Sequence, residues 1–172
     1  IGAQMGFAVI GVPAVNVAGE TVSSSAIRRA VEEGDVERAA RMLGRPFALT
    51  GEVVTGEGRG RTLDFPTANL EAENEMIPRR GVYVTETFVL SSRNPSVTNV
   101  GVRPTFGGEA LVVETHLVDF DEDIVGERME VRFLARLRDE RPFSGAAELA
   151  DQIARDRAAA VAYFRNAERF DP

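Results

Sequence analysis

From Phe47 onward the apolar positions fall on every second residue, with Phe47, Leu49, Gly51 and Val53 alternating against smaller or polar neighbours. That period of two is the signature of a half-buried strand. The same grammar returns over Gly81 to Leu90, Ser96 to Val102, Ala110 to Val118 and Met129 to Leu137. The turn-rich stretches SSRNP, RPTFGGE and DFDEDIVGE separate these runs. Strands that follow one another without helices between them predict an antiparallel sheet or barrel. Ahead of them, Phe7 to Val17 reads as a strand broken at Pro13, and Ala18-Gly19-Glu20 reads as a turn. Two short helices follow. Ser24 or Ser25 caps the first, which turns Ile27, Ala30 and Val31 to one face and stops at Gly34; Asp35 caps the second, whose inward side is Val36, Ala39, Ala40 and Leu43 before Gly44. One strand and two helices make no core by themselves. After the last strand, Leu149, Ile153, Ala160 and Phe164 recur at helical spacing, predicting a helix capped by Ser144 that runs to about Arg165. Glu148 and Asp151 sit at the positive end of its dipole. The pattern predicts a mainly β protein: a small barrel with one C-terminal helix and a short N-terminal α-helical appendage.

Composition narrows the classes. At 172 residues there is room for one domain, or one domain and a piece of another. With 44% apolar and 27% charged residues the chain reads as globular, and no apolar run is long enough to span a bilayer. No membrane partner is expected. The start, IGAQMGFAVIGVPAV, lacks the basic region of a secretory signal and an initiating Met, so the expectation is a sequence that begins inside a longer polypeptide. The absence of cysteine excludes disulfides, thiolate metal sites and cysteine nucleophiles, and accords with a cytoplasmic address. A net charge of -7 argues against nonspecific nucleic-acid binding, which rests on neutralising many phosphates. Any anionic ligand needs a local cationic site.

The stretch GEGRGRTLDFPTANL offers one. Gly56, Gly58 and Gly60 let backbone amides turn toward an anion, and Arg59 and Arg61 add charge. The segment fits two readings, a glycine-rich hairpin turn and a phosphate-binding flap. It is neither a Gly-Lys-Ser/Thr loop nor a dinucleotide fingerprint, since Pro66 stands where a helix is required. Thr67 and Asn69 likewise read either as a hydrogen-bonded Pro-Thr-Ala-Asn turn or as hard oxygen ligands for a Mg²⁺ that shares phosphate oxygens. Glu114 shares a strand face with Val112, His116 and Val118; it reads as a solvated strand glutamate or as a half-buried carboxylate with a pKa raised toward that of a general base. His116, the single histidine, reads as structural.

The combination is more specific than its parts. GEVVTGEGRGRTLDFPTANL, RGVYV, NVGVRPTFGG, VETHLVDF and FLARLRDERPF follow in that order, and over residues 46 to 165 the chain closely resembles the riboflavin kinase domain of bacterial bifunctional FAD synthetases. The resemblance implies a six-stranded antiparallel barrel of Greek-key type, transfer of the γ-phosphoryl group of ATP to the ribityl 5′-hydroxyl of riboflavin to give FMN and ADP, and Mg²⁺ as the metal. It implies that Gly56, Gly58, Gly60 and Arg61 belong to a flap over the nucleotide phosphates, and that Thr67 and Asn69 contact metal and phosphates. Glu114 matches the catalytic base. Arg138, Asp139 and Arg141 fall at the rim of the flavin pocket, whose wall is the DERPF segment and the helix after it. Asp64 departs from the pattern, which has Gly in that position.

Residues 1 to 45, and above all GETVSSSAIRRAVEEGDVERAARMLGR, resemble the end of the adenylyltransferase domain that precedes the kinase in those enzymes. Ser23, Ser24, Ser25 and Arg28 match its serine-rich, arginine-terminated signature, implied to bind ATP phosphates. The expected division is therefore an adenylyltransferase remnant over residues 1–45 and a kinase domain over residues 46–172. The paired histidines expected earlier in the adenylyltransferase domain are missing, so no FAD is expected from this chain alone. The alternative is a noncatalytic flavin- or nucleotide-binding regulatory module; a third reading, a structural barrel for protein interaction, leaves the arginine-glycine segment unexplained.

Overall fold

Short strands that bury one face must close on something, and here they close on each other. The computed structural model describes residues 2–6, 8, 10–56, 65–105 and 108–168. In chain order the elements are α1 (Gly2–Met5), β1 (Asn16–Val17), β2 (Glu20–Thr21), α2 (Ser24–Glu33), α3 (Val36–Leu43), β3 (Phe47–Val54), β4 (Ala68–Ala72), β5 (Gly81–Val89), β6 (Ser92–Thr105), β7 (Gly108–Leu117), β8 (Arg128–Arg138) and α4 (Ala146–Glu168). Among the described residues, six strands form a closed barrel in the order β3-β4-β7-β6-β5-β8, every pair antiparallel. Strands β5, β6 and β7 run as a meander and β4 returns beside β7, which is a Greek key. Closure leaves the barrel no open edge.

Alternation decides what lies inside. Leu49, Val53, Leu70, Tyr83, Val100, Val113, Leu117, Val131 and Phe133 form the barrel core. Tyr83 and Phe133 meet edge to face, with ring centroids 5.2 Å apart. Between these apolar layers runs a chain of buried hydroxyls: Thr87 to Ser96 at 2.7 Å, Ser96 to Thr85 at 2.8 Å, Thr85 to Thr98 at 2.7 Å and Thr98 to Thr115 at 2.9 Å. Every hydroxyl has a partner and the three inner ones, Ser96, Thr85 and Thr98, have two, so five polar groups are buried at little desolvation cost.

Two helical pieces cover the outside. Helix α4 lays Ala160 and Phe164 on Val82, Val84, Val97 and Leu137 of the barrel wall. Helices α2 and α3 pack Ala30, Val31, Ala39 and Met42 together with Phe47 and Met76, while Val36 joins the barrel core itself. Gly34 closes α2 with φ +80°, and a Cβ there would lie 2.8 Å from Arg136 Nε and 3.0 Å from the Tyr83 hydroxyl. The turn between α2 and α3 is thus pressed against the barrel wall.

Several local expectations shift. Of the strand expected over Phe7 to Val17, Phe7 and Val9 lie outside the described residues, residues 10–15 carry no regular structure, and only Asn16–Val17 is strand. The cap of α2 is Ser23, whose hydroxyl accepts from the Ala26 amide, rather than Ser24 or Ser25. Asp35 caps α3 as expected, accepting from the Arg38 amide at 2.9 Å. At α4, Ser144 stands one residue further out than a cap; its amide and hydroxyl both donate to the Glu148 carboxylate, at 2.9 and 2.8 Å. Those bonds hold the Glu148 carboxyl below its ordinary pKa.

Candidate active site

Direct cross-strand pairing threads one row of residues around the barrel. Val54 of β3 lies opposite Asn69 of β4, Asn69 opposite Glu114 of β7, Glu114 opposite Asn99 of β6, Asn99 opposite Val82 of β5, and Val82 opposite Arg138 of β8. Opposed residues share a face and have Cα atoms about 4.5–5.5 Å apart. The chain neighbours of the row, among them Val53, Leu70, Thr115, Val100 and Tyr83, are buried in the barrel, so the row points outward. Two amides therefore flank one carboxylate on the outer wall. Glu114 is half-buried there.

The Pro66-Thr67 corner brings the chain into β4 at one end of this row. Thr67 is exposed and Asn69 half-buried. Gly56, just past β3, lies against the Asn69 amide: a Cβ on Gly56 would sit 2.0 Å from Asn69 Nδ2 and 2.6 Å from its Cγ. On the far side of the corner, His116 Nδ1 lies 2.9 Å from the Pro66 carbonyl oxygen, and the ring meets Phe65 edge-on with centroids 5.5 Å apart. Burial lowers the His116 pKa, with the Pro66 carbonyl pulling the other way. A cavity of about 430 Å³ opens beside the corner, lined by Val53 to Gly56, by Pro66 to Asn69, by Leu117 and by the Phe120 to Val125 loop. Three acidic residues of that loop, Asp121, Glu122 and Asp123, line the same cavity as Thr67.

The segment after β8 folds back over the other end of the row. Arg138 spreads its guanidinium on the buried Asp156 of α4, with Nε 3.1 Å and Nη2 2.8 Å from Oδ2. Asp139 accepts from Arg136 at 2.7 Å, which holds its carboxyl below the ordinary value. Arg141 bonds Glu148 at 2.9 Å and stacks 4.5 Å over the Phe143 ring. Glu140 reaches onto β6: its Oε1 and the Asn99 Nδ2 lie 2.2 and 2.9 Å from where a Cβ of Gly101 would be. Gly101 thus leaves room for a second carboxylate next to Asn99.

Of the residues singled out in the sequence, Gly56, Thr67 and Asn69 meet at the cavity, and Glu114 stands next to Asn69 on the adjoining strand. Gly58, Gly60 and Arg61, with Arg59 and Asp64, lie outside the described residues. Arg138 belongs to the same row as Glu114, two strands past Asn99, and is occupied by Asp156; Asp139 and Arg141 serve as ion-pair partners within their own segment. Asn99, Glu140 and the acidic loop escaped the sequence reading. The Asn99-Val100-Gly101 stretch held the available signal, a polar residue on the face opposite the hydroxyl chain followed by a glycine with a neighbour to accommodate.

The riboflavin kinase family model matches residues 43–164. The bifunctional riboflavin kinase/FMN adenylyltransferase of Bacillus subtilis (strain 168) is 40% identical over 149 residues, covering 84% of this chain and 47% of that protein. The protein of the same description from Escherichia coli (strain K12) is 37% identical over 164 residues, covering 95% and 52%. The chain spans about half the length of the curated relatives it matches. A crystal structure of a macrolide-efflux protein from Streptococcus pneumoniae shares the fold with a TM-score of 0.82 and 37% identity, over 87% of this chain and 49% of that one. The riboflavin kinase of Trypanosoma brucei shares it with a TM-score of 0.53 at 23% identity, over 70% and 78%. The chain belongs to the riboflavin kinase family. Among the described residues no helix is long and apolar enough to cross a membrane.

Proposed function

We propose that this chain is the kinase portion of a bifunctional riboflavin kinase/FMN adenylyltransferase, and that it moves the γ-phosphoryl group of ATP onto the 5′-hydroxyl of riboflavin. The observation that carries the reading is the direct opposition of Asn69 and Glu114 across β4 and β7. It sets a half-buried carboxylate beside a corner whose hydroxyl and amide line a cavity of nucleotide size. Phosphoryl transfer asks little covalent chemistry of a protein and depends on positioning and charge stabilisation. Glu114 orients the hydroxyl and takes its proton as the new O–P bond forms and ADP leaves with the bridging oxygen. Thr67 and Asn69 hold the phosphate end of ATP, and Gly56 begins the flap that Gly58, Gly60 and Arg61 continue. Glu140 and Asn99 border the side from which riboflavin approaches, with Arg138, Asp139 and Arg141 shaping its outer wall.

The donor set fits a Mg²⁺ site. Among the described residues no three His, Cys, Asp or Glu side chains gather around a metal position. What the corner offers is neutral oxygen, from the Thr67 hydroxyl and the Asn69 amide, suited to a hard cation that keeps waters and shares phosphate oxygens. When bound there, Mg²⁺ would neutralise charge developing on the transferring phosphoryl group.

Residues 1–45 are read as the end of an adenylyltransferase domain, in keeping with relatives about twice this chain's length. We place the protein in the cytoplasm, and we expect FMN but no FAD from it. Incubation with riboflavin, Mg²⁺ and ATP, followed by chromatography, tests this: FMN that vanishes on chelation is expected. Flavin binding without turnover would make the chain a regulatory module instead.

A further inference from the structure

The short β4–β7 ladder pairs Ala68 with Thr115 and Asn69 with Glu114. In continued register Thr67 would come opposite His116, but there the backbone stops pairing and a side chain takes over. The imidazole reaches back to the Pro66 carbonyl at 2.9 Å. A carbonyl can only accept, so Nδ1 carries the proton. Nε2 then has a bare lone pair, and among the described residues it has no hydrogen-bond partner. His116 is 8% exposed and wedged edge-on against Phe65. With its one proton committed to Pro66, this ring has none to offer the reaction. What it can do is fix a distance. Pro66 has no amide hydrogen with which to anchor itself, and the residue after it is Thr67. The strand that holds His116 also holds Glu114, two residues away on the same face.

We propose that His116 is a positioning residue: its Nδ1–H···O=C bond to Pro66 sets where the Thr67 hydroxyl stands relative to Glu114, and so couples the phosphate side of the site to the proton-accepting side. The inference rests on the kinase reading and adds a determinant to it. A corner that loses this tie shifts on the scale of 1 Å, enough to cost up to about a hundredfold in a reaction governed by alignment. The effect falls on Mg²⁺–ATP, because Thr67 belongs to that side, and spares riboflavin.

Two substitutions separate positioning from packing. The Asn side-chain N–H stands close to where Nδ1–H does, whereas Gln places its N–H near the Nε2 position; both lose the ring's contact with Phe65. His116→Asn should keep the KM for Mg²⁺–ATP within about threefold of the parent. His116→Gln should raise it about tenfold or more, with the riboflavin KM of both variants within about twofold and similar melting temperatures. The affinity for Mg²⁺ with a non-hydrolysable ATP analogue, read by titration calorimetry, should split the same way without turnover. Equal behaviour of the two variants, or an unchanged Mg²⁺–ATP KM in His116→Gln, overturns the proposal. Because the chain has a single histidine, its ¹⁵N resonances in the unmutated protein give an independent reading. The Nδ1–H tautomer is expected, and the Nε2–H tautomer overturns the proposal even if neither variant folds. A parent that binds the analogue yet forms no FMN sinks the kinase reading alone, leaving the Asn and Gln affinities to decide on His116.

Discussion

Gly56→Ala isolates the contact between the end of β3 and the Asn69 amide. The added methyl would begin 2.0 Å from Asn69 Nδ2, 2.6 Å from Cγ and 2.9 Å from Oδ1. Nonbonded contact needs about 3.5 Å, so the amide has to retreat by about 1.5 Å. It can, because it is the free end of a side chain. The rotamer cost is about 0.5–1.5 kcal/mol, and the loss of glycine's freedom in the unfolded chain returns about 0.4–1 kcal/mol. The two nearly cancel, and the melting temperature should stay within about 3 °C of the parent. Catalysis has no such compensation: a misplacement of 1 Å at a positioning group costs up to about a hundredfold, so kcat/KM for Mg²⁺–ATP should fall by about 10²-fold. The assay is FMN formation against Mg²⁺–ATP concentration, run beside thermal melts. Asn69→Ala provides the internal check, since Gly56→Ala added to it should change the rate by less than about twofold. Activity of Gly56→Ala within threefold of the parent, or full additivity of the two changes, would refute the reasoning.

Gly51→Ala makes the opposite prediction, because its Cβ would lie 1.9 Å from the backbone carbonyl oxygen of Glu71, which cannot swing aside; the β3–β4 pair must part, and melts should show a loss of about 3 kcal/mol, or about 6–12 °C. Glu114→Gln keeps the shape and removes the base, so turnover should drop by about 10²–10⁴ with riboflavin binding kept; turnover within a few-fold of the parent would show that Glu114 is not the base. Asp156→Asn leaves the Arg138 guanidinium with a neutral partner at the α4–barrel junction, and the weakened charged hydrogen bonds should lower the melting temperature by about 3–12 °C. For His116 the folded pKa is lowered, chiefly by burial, so below about pH 6.5 the unfolded chain binds the extra proton first. Stability should therefore fall as pH drops from neutrality through that window toward the folded pKa, and His116→Asn should flatten this part of the curve; equal slopes in parent and variant would contradict it.

Period-two alternation located β3, β5, β7 and β8 to within a few residues, because their inward positions are apolar and their ends carry turn residues. It failed where that coupling breaks. Strand β4 is five residues long and follows Pro66, so its first residues read as part of a Pro-Thr-Ala-Asn turn and the strand itself went unread. Ser92 to Pro95 looked like a turn and is strand, because Leu90 and Ser91 adopt φ of 49° and 61° and make the hairpin without glycine or asparagine. On β5 and β6 the hydroxyls of Thr85, Thr87, Ser96 and Thr98 share the inward face with Tyr83 and Val100, while Val82, Val84 and Val97 face α4, so polarity does not mark the inside there. At the site, residue types were legible and their neighbours were not. Nothing local ties Asn99 to Glu114 or Glu140 to Gly101, since those meetings depend on barrel register and on where the chain returns after β8.

The row from Val54 to Arg138 crosses all six strands as a spiral that does not close on itself, since the β3–β8 register runs Val54 toward Gly126 and not toward Arg138. Its members come from six separate segments, and what aligns them is hydrogen-bond phase. A single residue gained or lost within β7 would turn Glu114 to the interior and present Val113 or Thr115 in its place, while a two-residue change would keep the face but carry the acid about 6.6–6.8 Å along the strand, off the spiral. Length changes in this family are therefore tolerable at the poles, in the connections above and below the barrel, and ruinous between them. The same geometry offers a route to new chemistry: Asn69, Glu114 and Asn99 stand outside the wall and can be exchanged without disturbing the core, whereas Val82 is packed beneath α4 and Arg138 is tied to Asp156.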